Sequence, residues 1–216
     1  GFHLNARDAA DAALAIAPSD PVVLGFVGQT ELIAHRFGDA VRSADRALAT
    51  SPRDLVALSV KSDGLLELGR FEDAAVVVQT LVDLKPNLAA YARVSYLRWL
   101  KGDRPGALEA ARLAIGSGPS HKDPEPHAWA LVQAALLFWH SGDVEGADAG
   151  FDAALVARPD YPPALVGKGR VALSRGQGAE AAGLLERAYR GSPLVETAWL
   201  LGDAHTVAGA PDAARA

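Results

Sequence analysis

A chain of 216 residues, half of them apolar and 22% charged, can bury a substantial core, and no apolar run approaches the roughly 18 residues of a membrane-spanning helix. Direct membrane insertion is therefore not expected. A net charge of -5 and a pI near 5.7 argue against a nucleic-acid partner, which needs clustered Lys and Arg. The absence of Cys removes disulfides, thiolate catalysis and thiolate zinc sites while leaving the compartment open.

Taken in order, the chain reads as one helix-turn-helix unit repeated, with Pro18, Pro52 and Pro86 spaced 34 residues apart. Residues 1 to 20 match the second half of a unit, with Gly1 at the turn, Ala6 and Ala13 following, and Pro18 closing. The first complete unit, 21 to 54, carries His35 at the turn (position 15), Ala40 at position 20, Ala47 at position 27 and Pro52 at position 32. The second, 55 to 87, repeats this with Gly69, Ala74, Leu81 and Pro86, and the third, 88 to 121, with Gly102, Ala107, Ala114 and Pro119. An insert, Lys122 to His127 (KDPEPH), breaks the period. Its prolines predict an extended, stiff segment, either a tolerated loop or a lip beside Trp129. The fourth unit, 128 to 161, has Gly142, Ala147, Ala154 and Pro159, and the fifth, 162 to 194, has Gly176, Ala181, Ala188 and Pro193. A partial sixth, 195 to 216, holds Gly209 and Ala214. Both ends look unfinished, which suggests a segment of a longer array or one that has lost flexible ends.

Each recurring residue type has a physical reason. Proline just past a helix stops it, and Gly between two helices permits a left-handed turn. Ala lets two helix backbones approach without loss of helix propensity. Position 8 of the first helix, occupied by Gly28, Ser62, Ser95, Ala135, Gly169 and Gly202, is expected to serve the same close crossing.

This pattern resembles the tetratricopeptide repeat family over essentially the whole chain. The resemblance implies an all-α, right-handed superhelical solenoid of antiparallel helical hairpins, in which each hairpin buries its apolar stripe against the next. It also implies a single array whose concave surface, lined by positions 2, 5, 9, 12 and 13 of the first helices, holds an extended peptide or a helix of a partner protein.

From the third unit onward those positions are rich in large side chains. They include Tyr96, Trp99 and Leu100; Trp129, Val132, Leu136, Trp139 and His140; Val166, Arg170 and Leu173; and Trp199, Asp203 and Val207. All four Trp residues fall in the set, which reads as an aromatic groove able to grip a partner. Two alternatives stay open: the rings fold sideways to fill gaps between hairpins, or a neighbouring copy or missing segment occupies the groove. Some members of the family clamp a C-terminal carboxylate with Lys, Arg and Asn at fixed positions. Here those positions hold Gly25, Gln29, Val60, Ala89 and Arg93, of which only the Arg fits, so no such clamp is expected.

Charge alternates by unit. The third and fifth each carry five basic against two acidic residues, and the fourth carries one against five. Attraction between stacked neighbours is the simplest reading, and a basic patch steering an acidic partner is the sharper one.

Chemistry finds little support. Six His residues show no metal-ligand spacing, GKG at Gly167 to Gly169 lacks the rest of a phosphate loop, and no GxSxG motif is present. Glu31, Arg98 and His205 stand where an apolar residue is usual, but no second group converges on any of them. The expectation is thus a noncatalytic interaction scaffold without cofactor or metal. Its alternatives are a regulatory or targeting segment of a larger enzyme or membrane-associated complex, and an array that self-assembles through its open ends.

Overall fold

The computed structural model describes residues 2–117 and 124–210, with side chains from residue 6 onward. Gly1, Pro119, His121, Lys122 and Ala214, all used in the repeat reading, lie outside the described residues. Among those described there are twelve α-helices and no strands. The chain divides into two compact units, residues 1–107 and 108–216.

The first unit holds α1 (Phe2–Ile16), α2 (Pro21–Ile33), α3 (Phe37–Thr50), α4 (Leu55–Glu67), α5 (Phe71–Leu84), α6 (Leu88–Leu100) and the start of α7 (Arg104–Gly116). The second holds the rest of α7, then α8 (Glu125–His140), α9 (Val144–Ala157), α10 (Pro162–Ser174), α11 (Gly178–Gly191) and α12 (Val195–Val207). Consecutive helices pack on one another from α1 to α6 and from α8 to α12, and first helices also lie beside one another, α2 with α4, and α8 with α10 and α10 with α12. Each unit is therefore two-layered, with first helices on one side and second helices on the other.

The hairpin turns share one geometry. His35, Gly69, Gly102, Gly142, Gly176 and Gly209 all have φ between 56° and 81°. Each donates its N–H to the carbonyl three residues back, while the next residue's N–H reaches a carbonyl five residues back, as in Gly69 to Leu66 and Arg70 to Leu65. This pair of bonds is the Schellman motif, which satisfies the last carbonyls of the first helix. Past the second helices, Pro18, Pro52, Pro86, Pro159 and Pro193 each stand two residues beyond the last helical residue. Several helix starts carry side-chain caps. Asp20 accepts from Val22 N at 2.8 Å, Asp54 from Ala57 N at 2.8 Å and Asn87 from Ala90 N at 3.0 Å.

The small residues sit where helices cross. Ala40, Ala74, Ala107, Ala147 and Ala181 are fully buried, as are Ala47, Ala154 and Ala188. In the first unit the core gathers around Leu58, Leu65, Leu81 and Leu97. In the second it gathers around Phe151, with Leu131, Ala135 and Val171, and a smaller cluster surrounds Leu185.

One expectation is corrected. The insert is not extended throughout, because Glu125, Pro126 and His127 form the first turn of α8. A proline in the first turn surrenders no hydrogen bond and its fixed φ suits the helix, so Pro126 starts the helix rather than breaking it.

Ion pairs join successive hairpins within each unit. In the first, Arg93 grips Asp63 through two bonds of 2.6 and 2.8 Å, Lys61 meets Asp45 at 2.6 Å and Lys101 meets Glu72 at 2.7 Å. In the second, the basic residues of the fifth repeat fall on the acidic residues of the fourth. Lys168 pairs with Asp148 and Asp152, Arg175 with Glu145 and Asp148, and Arg187 with Asp160. For those two repeats the charge alternation is therefore attraction between stacked neighbours.

Burial pushes the Asp148 carboxyl up, but hydrogen bonds from Lys168 and Arg175 outweigh it and hold the group below the usual carboxylate range. A carboxyl whose folded pKa is depressed stabilises the fold above its unfolded pKa, about 3.9, and ceases to do so as pH falls through the lower folded value. Denaturant unfolding should accordingly show the second unit losing stability as the pH falls below about 4. In Asp148→Asn this part of the acid loss should be absent.

Candidate functional site

The exposed faces of the first helices hold the residues selected from the sequence, and each unit presents its own set. In the first unit, Tyr96 on α6 is 49% exposed and Leu100 is exposed beside it. Trp99 is half-buried, with the Arg104 guanidinium 5.7 Å from its ring centre. Arg93 is engaged by Asp63, so the one residue that matched a carboxylate clamp already has a carboxylate of its own.

In the second unit, Trp129 on α8 is 43% exposed and Trp199 on α12 is 72% exposed. Trp139 behaves differently: it is half-buried and packs against the core cluster around Phe151, as does Leu136. The two Trp residues at position 12, Trp99 and Trp139, are thus partly covered, whereas those at positions 2 and 5 remain open. Leu173 is half-buried beside Ala172 and Leu185, Asp203 is exposed, and Arg170 is paired with Glu196.

Between α8, α10 and the start of α12 runs an open cleft of about 490 Å³. Val132, which is only 3% exposed, Leu136, Val166, Pro163 and Leu194 supply its apolar lining. Its rim carries two ion pairs, Arg158 with Glu125 at 2.6 Å and Arg170 with Glu196. The Arg158 guanidinium also lies 5.0 Å over the ring of Tyr161, whose phenol is pushed up by burial and by nearby Glu125. The cleft joins Val132, Leu136, Val166 and Arg170 from the sequence-derived set with Pro163, Leu194 and Glu196, which that selection missed. A signal for two of them was available, since Pro163 and Glu196 both occupy position 2. Leu194 lies in an inter-repeat connection and had none.

Two of the three residues that depart from the apolar pattern at position 11, Glu31 and Arg98, take structural roles. Ser43 donates to Glu31 at 2.7 Å, linking α3 to α2, and Arg98 donates to the Gly106 carbonyl at 3.1 Å. Among the described residues, no group of three or more His, Asp or Glu could hold a metal ion, and no helix is long and apolar enough to cross a membrane.

Paired helices closed by identical turns and stacked through small residues define an α-helical repeat protein. The tetratricopeptide repeat profile matches residues 28–89, 59–122 and 132–196, and the chain belongs to that family. No curated protein matches it in sequence. Among solved structures it is similar to a chain of the APC/C hetero-tetramer Cut9–Hcn1, with a TM-score of 0.77 and 14% identity over 98% of this chain and 41% of that one. PilF of Pseudomonas aeruginosa gives a TM-score of 0.74 and 12% identity over 100% of this chain and 90% of that one. Yeast Tom70 gives 0.74 and 18% over 97% and 42%. This chain thus spans about two fifths of the Cut9–Hcn1 and Tom70 chains, and at such identities the likeness is one of fold. Tetratricopeptide repeat proteins are in general protein-interaction scaffolds, typically without catalysis.

Proposed function

We propose that the chain is a noncatalytic scaffold that holds an extended peptide or a helix of a partner protein against the exposed faces of its first helices. The leading surface is that of the second unit: Trp129, the cleft floored by Val132, Leu136 and Val166, and Trp199, with Arg170, Leu173, Trp139 and Asp203 around them. Tyr96 and Trp99 form a separate contact surface on the first unit. One observation carries this reading: two indoles stand open to water on the same helical layer as an apolar cleft. Large amphipathic rings lose little rotamer freedom when a partner covers them and bury much area, which makes them the usual anchors of an interface. A net charge of -5 favours a protein over a nucleic acid as that partner.

The test is a comparison of partner capture by the chain and by a Trp129→Ala, Trp199→Ala double variant. Both residues are exposed, so thermal unfolding should be nearly unchanged, within about 1 kcal/mol. Binding of the captured partner should fall by at least about 30-fold, as for a lost anchor pair. Equal affinity in the double variant would contradict the reading.

A further inference from the structure

The rim of the cleft has an electrostatic feature that bears on what can enter it. The cleft is bounded by the first turns of α8, α10 and α12, and helix N-termini ordinarily attract anions. Here the protein cancels that attraction itself. Glu125 and Glu196 occupy the first turns of α8 and α12, and Pro162 and Pro163, which open α10, offer no amide hydrogen. The two rim cations are engaged as well, Arg158 by Glu125 and Arg170 by Glu196. A charged segment entering between them would shed its hydration against Val132, Val166 and Leu194 and find both counter-charges already taken. An uncharged apolar segment sheds little hydration and gains the apolar contact.

We propose that this cleft takes an uncharged, apolar stretch of a partner protein, and that Glu196, by holding Arg170 as Glu125 holds Arg158, helps to exclude acidic segments. The proposal rests on the scaffold reading above and narrows it to one class of occupant, argued from the matched charges of the rim.

A random nonapeptide library displayed on phage, selected against the whole chain, tests it. Enriched sequences should be uncharged and apolar. Pro163→Glu, which places a carboxylate in the cleft at a helix position that favours one, should weaken the synthetic peptides about tenfold without lowering the unfolding temperature. Glu196→Gln should raise the affinity for the same peptide carrying one added Asp about fivefold relative to the neutral peptide, the value of a part-exposed ion pair. Enriched peptides rich in charge, neutral peptides indifferent to Pro163→Glu, or an acidic peptide that gains nothing from Glu196→Gln would each overturn this proposal and leave the scaffold reading standing. A chain that enriches no peptide and captures no partner would overturn both.

Discussion

Phe151→Ala is expected to lower the stability of the second unit by about 3 to 5 kcal/mol, the range for deleting a buried aromatic ring. The ring is 1% exposed and is the largest fully buried side chain among the described residues. It lies among Leu131, Val132, Ala135, Ala154 and Val171, several of them too small to collapse into the space it would leave. Its contact with α10 is closer still. A Cβ at Gly167 would lie 2.3 Å from the ring, so the helix backbone there packs directly on the aromatic edge. Removing the ring therefore opens a cavity beneath Val132, which forms part of the cleft surface. Denaturant unfolding should show the loss, and peptides bound in the cleft should weaken with it. A change below about 1 kcal/mol would mean that the second unit is not built around this ring.

Gly178→Ala should also be damaging, although alanine is normally the better helix former. Gly178 opens α11, and a Cβ on it would lie 2.3 Å from the Ala208 nitrogen, 2.7 Å from the Val207 carbonyl carbon and 2.8 Å from the Ala204 oxygen. All three are backbone atoms of the end of α12, so no rotamer change relieves the clash. The helices must separate, at a cost of about 1 to 3 kcal/mol. The gain in helix propensity is at most about 1 kcal/mol and smaller at a first helical position, so the clash decides the sign. Because the damage falls at the α11–α12 contact, the fluorescence of Trp199 should report unfolding at a lower denaturant concentration than that of Trp139.

The repeat was legible because its punctuation is chemical. The residue at position 15 must adopt a left-handed backbone, and the six residues read from the sequence at that position within the described range all do so. His35 fills the role without being Gly, and its ring lies edge-on to Phe37 at 5.5 Å. The left-handed Asp160 carried no comparable sequence signal. Gly178 was equally silent: at its position in earlier repeats stand Phe37 and Phe71, and only the three-dimensional contact reveals why a side chain is excluded.

The candidate surface was legible in direction but not in depth. Helical spacing assigned Trp129, Trp139 and Trp199 to one face. It could not show that Trp139 packs against the Phe151 cluster while the other two stay open, because that depends on the size of neighbours from other helices. The ion pairs on the cleft rim were hidden for the same reason. Arg158 with Glu125 and Arg170 with Glu196 bring together residues 33 and 26 apart in sequence, a distance that no single-helix pattern spans.

The most direct measurement is hydroxyl-radical footprinting of the chain alone and with its captured partner bound. Trp129 and Trp199 should lose most of their labelling in the complex, while Tyr189 on α11, which is 41% exposed on the other helical layer, should keep its own. Unchanged labelling of both indoles, with protection appearing at Tyr189 instead, would contradict a scaffold that binds through its first helices.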